Sequence, residues 1–250
     1  MKYSWLIVLL FGFNLSHAQV NNDKVRMTVE NDQTIFYSYN DKGYLATQKN
    51  SKFSYYYSYV YLKDSVLQYK VDLIDSVLQK IYVLNKNGLA YKITTLEDGI
   101  MYDEFYQYEN KQLKKKYYTH DKTTQVVLYE YQNGNKIKEY KYDTFWSNDK
   151  MIYENTTTLY LYMDKPNSLT NSNYGQPYLS ISSANLLKTK IIIDYASNMY
   201  GDLEIPQYDI NNPMLEANFN YTYDEKGRLK ELIRTDKVPQ NKDVIKYYYY

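Results

Sequence analysis

The sequence predicts an all-β fold, an antiparallel meander of Tyr-rich hairpins curled into a half-barrel or a barrel. Three observations predict it. A Tyr-x-Tyr unit returns every 22 to 25 residues, a turn-forming residue follows it at a fixed offset, and further turn signals fall between the units. Together the turns recur about every 10 to 12 residues, the spacing of a β meander.

The unit reads Tyr37-Ser-Tyr39…Leu45, Tyr59-Val-Tyr61…Leu67, Ile81-Tyr-Val83…Leu89, Tyr106-Gln-Tyr108…Leu113 and Tyr129-Glu-Tyr131…Ile137. It returns near the end as Tyr221-Thr-Tyr223…Leu229. Side chains alternate across a strand, so Tyr-x-Tyr sets two rings on one face and leaves Ser38, Gln107, Glu130 or Thr222 on the other. Four positions after the second apolar residue of the unit stand Gly43, Asn87, Asn135 and Gly227. These residue types enter the left-handed region at least cost. A three-residue hairpin loop closing on one of them would oppose Tyr39 to Leu45, Tyr131 to Ile137 and Tyr223 to Leu229. Ser65 holds the slot in one copy, and the Tyr108 copy closes more tightly at Asn110-Lys111.

Between the units, turns are expected at 49–52, 75–76, 97–99, 120–122 and 147–149. In the segment 63–80 the run Asp-Ser-Val-Leu-Gln occurs twice, 11 residues apart, a period that a helix can also satisfy. Leu67, Tyr69, Val71 and Leu73 alternate there with Gln68, Lys70 and Asp72, which favours strands. The rhythm breaks after Tyr162. Long loops are expected near 164–185 and 196–216, with a strand Leu186–Tyr195 between them and final strands Arg228–Thr235 and Lys242–Tyr250. Turn counting gives roughly 12 to 15 strands, and open sheets rarely exceed about ten without curling or closing.

Residues 1–18 read as a signal peptide: Lys2, the apolar run Trp5 to Phe13, then Ser16-His17-Ala18. That run is too short for a spanning helix. Residues 19–250 then form a single β domain. With no cysteine, the chain has no disulfide and no cysteine-held anchor or metal. Once Lys2 is removed, the remaining basic residues balance the 29 acidic ones. The run Lys114-Lys-Lys116 is therefore a solvated strand face rather than a nucleic-acid patch.

Composition leaves little room for catalysis. With His17 in the leader, His120 is the one mature histidine, in a predicted turn, so no His-based metal cluster can be assembled and a Ser-His-Asp triad would have to use this turn residue. The carboxylates of Glu97-Asp98, Asp103-Glu104 and Asp143 keep a carbohydrate-active enzyme as one alternative. The main expectation is a non-catalytic protein without a cofactor. Tyr142, Phe145 and Trp146 are the candidate ligand-binding residues, because Trp146 is the sole tryptophan past the leader and adjoins a polar turn. The other reading is that Phe145 and Trp146 close one end of the core.

The unit Tyr221-Thr-Tyr-Asp-Glu-Lys-Gly-Arg-Leu229 resembles the YD repeat of Rhs-type proteins, and Tyr37-Ser-Tyr-Asn-Asp-Lys-Gly-Tyr-Leu45 is a looser copy. The whole domain is similar to secreted YD-like β domains of Bacteroidetes that have no established activity. The resemblance implies an exported antiparallel protein and transfers no catalytic residue. It also implies that Ser65 in Asp64-Ser-Val66 and Ser76 in Asp75-Ser-Val77 are candidate O-glycosylation sites; a plain Asp-Ser turn is the other reading.

The expectation is thus an exported protein of the periplasm, cell surface or extracellular space that binds a glycan, a small ligand or an envelope protein. The alternative is an integral outer-membrane β-barrel. The terminal Lys246-Tyr-Tyr-Tyr-Tyr250 favours that alternative, and the charges of Lys136-Ile-Lys-Glu-Tyr-Lys141 count against it if they occupy both faces.

Overall fold

The computed structural model describes residues 24–120, 123–147, 150–167, 176–179, 183–197, 213–238 and 240–249. The predicted signal peptide and most of the 196–216 loop lie outside the described residues.

The strands are β1 (Val25–Glu30), β2 (Gln33–Tyr39), β3 (Leu45–Asn50), β4 (Tyr56–Tyr61), β5 (Ser65–Val71), β6 (Ser76–Leu84), β7 (Ala90–Glu97) and β8 (Ile100–Glu109). They continue as β9 (Gln112–His120), β10 (Thr123–Gln132), β11 (Asn135–Ser147), β12 (Lys150–Pro166), β13 (Asn185–Ser197), β14 (Leu215–Tyr223), β15 (Leu229–Val238) and β16 (Asn241–Tyr249). Each pairs antiparallel with its sequence neighbours, and β1 pairs with β16 through Thr28↔Tyr247 and Val29↔Lys246, which closes the sheet into a barrel. Closure leaves no edge strand exposed. The segment 63–80 is strand on both sides of its turn. Turn counting misses β1, whose Asn31-Asp32 turn carries no tyrosine unit.

The units end alternate strands, and their turns all sit at the end of the barrel where Val25 and Tyr249 lie, hereafter the terminal end. In three of them a polar residue directly after the strand makes the turn. Asn40 Oδ1 accepts the amides of Lys42 and Tyr44, both at 3.0 Å. Asn85 does the same for Asn87 at 2.9 Å and Leu89 at 3.2 Å, and Asp224 for Lys226 at 2.9 Å and Arg228 at 2.8 Å. Three residues on, Gly43, Gly88 and Gly227 take φ of 78°, 75° and 76°, a conformation that a Cβ disfavours.

Two expected details change. Gly88, not Asn87, is the left-handed residue, because the inward pair of this copy is Tyr82 and Leu84 rather than Ile81 and Val83, as the pairing Leu84↔Ala90 requires. With Leu84 in place of Val83 the spacing becomes more even. Asn135 is likewise ordinary strand: the turn before it is Asn133-Gly134, both left-handed, a two-residue hairpin that sets Tyr131 opposite Lys136 instead of Ile137. The expected pairs Tyr39↔Leu45 and Tyr223↔Leu229 form.

The wall is uneven. Strands β1 to β5 have six or seven residues, whereas β11, β12 and β13 have 13, 17 and 13.

Asp224 is the one charged member among the three turn formers. Desolvation pushes its carboxyl up, but the Arg228 amide and guanidinium and the Lys226 amide outweigh that and hold it below the usual carboxylate range. A lowered carboxyl contributes stability above its unfolded pKa, about 4, and loses it as pH falls. Asp224→Asn should keep the turn, as Asn40 and Asn85 do, and remove that acid sensitivity. Asp224→Ala should lower stability at neutral pH; urea titrations at pH 7 and pH 3 read both.

Candidate functional site

Directly opposed residues of an antiparallel pair project to the same face, so the register can be followed around the wall. One course runs Tyr61, Val66, Tyr82, Ile93, Glu104, Tyr118, Gln125, Asp143, Glu154. The course beside it runs Val60, Leu67, Ile81, Thr94, Asp103. The first course faces the lumen. Tyr178, on the connection between β12 and β13, packs against Tyr61 and Tyr82 at ring-centroid distances of 6.1 and 4.7 Å, and its carbonyl accepts the Ala90 amide at 2.9 Å. These partners lie on β4, β6 and β7, several strands away on the far arc, so the connection reaches them across the bore.

The repeated tyrosines line this bore. At the terminal end their hydroxyls donate to backbone carbonyls of the preceding strand: Tyr39 to Val25, Tyr61 to Leu45, Tyr108 to Ala90, Tyr162 to Lys136, Tyr221 to Leu187 and Tyr249 to Leu229, at 2.7 to 3.0 Å. One layer further in, hydroxyls meet side chains instead. Tyr37 bonds Thr28 at 3.3 Å, and Tyr59 and Tyr82 donate to Gln48 at 3.3 Å and Gln68 at 2.9 Å. A phenol suits this place because its ring packs against neighbouring rings while its hydroxyl finds a partner on the wall. Sequence reading misses Tyr160-Leu-Tyr162 and Tyr247-Tyr-Tyr249 as copies of the unit. The first is followed by a long connection and the second by the end of the strand, so neither carries the turn that marks the others.

Beyond the tyrosine layers the lumen is charged, and several of its charges are paired. Lys116 meets Glu104 at 2.7 Å, and Lys136 meets Glu139 at 3.0 Å. Lys141 pairs with Asp143, and Arg234 grips Asp236 through two nitrogens at 2.7 and 2.8 Å. Tyr106 and Tyr160 donate to Glu104 and Glu139 at 2.6 and 3.0 Å. Among the described residues no group of histidine and carboxylate side chains could hold a metal.

The sequence-predicted residues separate. Tyr142 and Trp146 lie on the outward face of β11, opposite Val126 and Met151, and are 41% and 46% exposed, whereas Phe145 takes the other face, opposite Ile152. The three lie on one strand and do not form one surface. Ser65 and Ser76 open β5 and β6 at opposite ends of the barrel, Ser65 at the terminal end and Ser76 at the other. His120 closes β9 and its ring is 6.0 Å from that of Tyr102.

No protein family matches this sequence, and no curated protein does. Solved structures do. A porin-like protein from Bacteroides uniformis superposes with a TM-score of 0.58 at 14% identity, over 90% of this chain and 96% of that one. A porin-like protein from Bacteroides vulgatus gives 0.59 at 13% identity, over 91% and 99%. The fold is that of a porin-like barrel. At such identity the likeness carries architecture alone.

Tyr178 is 1% exposed and its hydroxyl has no hydrogen-bond partner among the described residues. An unpaired buried hydroxyl costs about 1–3 kcal/mol, so its removal should not loosen the connection. Tyr178→Phe should leave the Ala90 amide at least as protected from hydrogen exchange as in the parent. Tyr178→Ala deletes a buried ring, a change worth about 3–5 kcal/mol, and should speed exchange at Ala90 by at least about a hundredfold.

Proposed function

We propose that the chain is an integral outer-membrane β-barrel that passes small hydrophilic solutes through its polar lumen, with the turn 176–179 narrowing the terminal end. The observation that carries this reading is the sorting of side chains along β11. Lys136, Glu139, Lys141 and Asp143 face the lumen, and Tyr140, Tyr142, Thr144 and Trp146 face outward. The segment that looked too charged for a lipid-facing strand thus keeps most of its charge inside, with Lys138 outward close to the terminal end. A spanning barrel has this alternation, apolar outside and polar inside.

Apolar side chains also meet across the outward face: Met27 with Phe36 and Tyr248, Val60 with Leu67, Tyr69 with Leu78, Phe105 with Tyr117, Val126 with Tyr142 and Leu159 with Ile191. Several outward lysines lie close to the terminal end, where Lys92, Lys115, Lys138 and Lys246 each stand two or three residues from a strand terminus, and Lys49 and Lys242 lie one residue from a strand terminus at the other rim. At that level a long stem can cover apolar surface while its ammonium reaches water. Lys92 also meets Asp103 at 2.8 Å, so the outward carboxylate of β8 is neutralised. Trp146, near the opposite rim, occupies the place of an interfacial aromatic. Strands β8 to β16 have nine residues or more, the length that spans a bilayer when tilted. This reading replaces that of a soluble binder, for which an outward apolar face and an inward charged one would be the wrong way round.

Membranes from the native host, washed with alkaline carbonate and then with urea, should retain the protein. The detergent-extracted protein should migrate faster on a gel before boiling than after it. Release into the carbonate wash would end the membrane reading.

A further inference from the structure

We propose that the lumen contains an oxyanion site centred on Lys190, so that the preferred solutes carry a carboxylate or a phosphate group. The proposal rests on the reading of the barrel as a solute path. Lys190 lies on β13, directly opposite Tyr160 on one side and Ala217 on the other, and Ala217 in turn faces Asp236. Its half-buried ammonium is within electrostatic reach of Glu139, Asp236, Lys136 and Arg234. Those neighbours are already engaged with one another. Glu139 accepts from Lys136 and from the Tyr160 hydroxyl, each at 3.0 Å. Asp236, 5% exposed, is held through both oxygens by the Arg234 fork.

Lys190 makes no hydrogen bond or ion pair among the described residues. Lys136 and Arg234 stand near Lys190 together with Glu139 and Asp236, and Asp243 lies directly opposite Arg234. A partly desolvated ammonium without a partner is unfavourable, and an anion on it removes that penalty. Arg234 spends only part of its five-donor fork on Asp236, so donors remain beside Lys190 for a second oxygen. Oxyanions suit this combination because charge-assisted hydrogen bonds from ammonium and guanidinium to carboxylate or phosphate are short and strong. The pairs Lys116–Glu104 and Lys141–Asp143 close on themselves.

The test is calorimetric titration of the full-length, detergent-extracted barrel with inorganic phosphate and, separately, with acetate, at low and at raised salt. Saturable binding that weakens with salt is expected. Lys190→Gln should weaken it about tenfold or more, Lys190→Arg should largely preserve it, and Lys242→Gln, an outward exposed residue, should leave it unchanged. Whichever anion binds more tightly identifies the group recognised. A Lys190→Gln barrel that keeps its faster unboiled migration but binds as the parent does overturns the site. So does a folded parent that binds neither anion. Both results leave the membrane reading standing, because that reading stands or falls on carbonate extraction.

Discussion

Closure of β1 on β16 is the constraint on which the rest of the structure depends. A sheet of this many short antiparallel strands left open would present two rows of unpaired amides and carbonyls, and its inner tyrosines would lie on a shallow surface rather than inside a bore. The pairing of Thr28 with Tyr247 turns that surface into an enclosure. Once the ring is closed, every residue is assigned by parity to the lumen or the outside, and a one-residue slip anywhere would invert an entire strand. The hydroxyl-to-carbonyl bonds of the terminal end guard against such a slip. Each ties one strand to a fixed residue of the preceding strand, as Tyr61 does at Leu45 and Tyr249 at Leu229.

The same bonds account for the choice of tyrosine. Phenylalanine would fill the bore equally well, yet it would leave the lumen wall greasy and the strand register less defined. Tyrosine supplies ring area to pack around Tyr178 and a hydroxyl for the wall or for water. Where the ring sequence is interrupted, at Leu84, packing is kept and the tie is lost. The neighbouring Tyr82 still holds Gln68. The lumen thus passes from a phenol-packed terminal end to a charged middle within a few residues.

Much of the fold was legible because strand, turn and period coincide in the sequence. Gly43 and Gly227 are read as turn residues from their offset after the aromatic, and the antiparallel meander follows. The frame of the third unit was less legible, since Ile81, Tyr82, Val83 and Leu84 are all apolar and either parity looks plausible without the Leu84↔Ala90 pair. Sequence alone also could not sort the charges of 136–141. Alternation is visible there, but which parity faces inward is set by strands far away around the ring. Tyr142, Phe145 and Trp146 attract attention as a cluster of aromatics, and strand geometry divides them between faces. Lys190 carries no signal at all in Thr189-Lys190-Ile191, because its significance lies in what Glu139 and Asp236 already hold.

The uneven wall bears on how such a barrel would sit in a bilayer. With strands of six or seven residues, β1 to β5 rise roughly 15 Å when tilted, against a lipid-facing band about 25 Å tall. A polar rim on that side would sink into hydrocarbon. The rim there is instead apolar at several points: Leu73 and Ile74 form the β5–β6 tip and are almost fully exposed, and Met101, opposite Leu96 on the outward face, is exposed as well. Phe53 stacks on Tyr55, and Lys70 lies over the Tyr55 ring at 4.4 Å, so aromatic surface continues above the last strand hydrogen bonds. On the opposite side β11 to β13 have 13 to 17 residues, with Trp146 one residue from the outer end of β11. A barrel with one low side and one tall side lies flush with a membrane only if its axis tilts or the lipid thins locally, and the exposed aliphatic tip is what makes the low side tolerable.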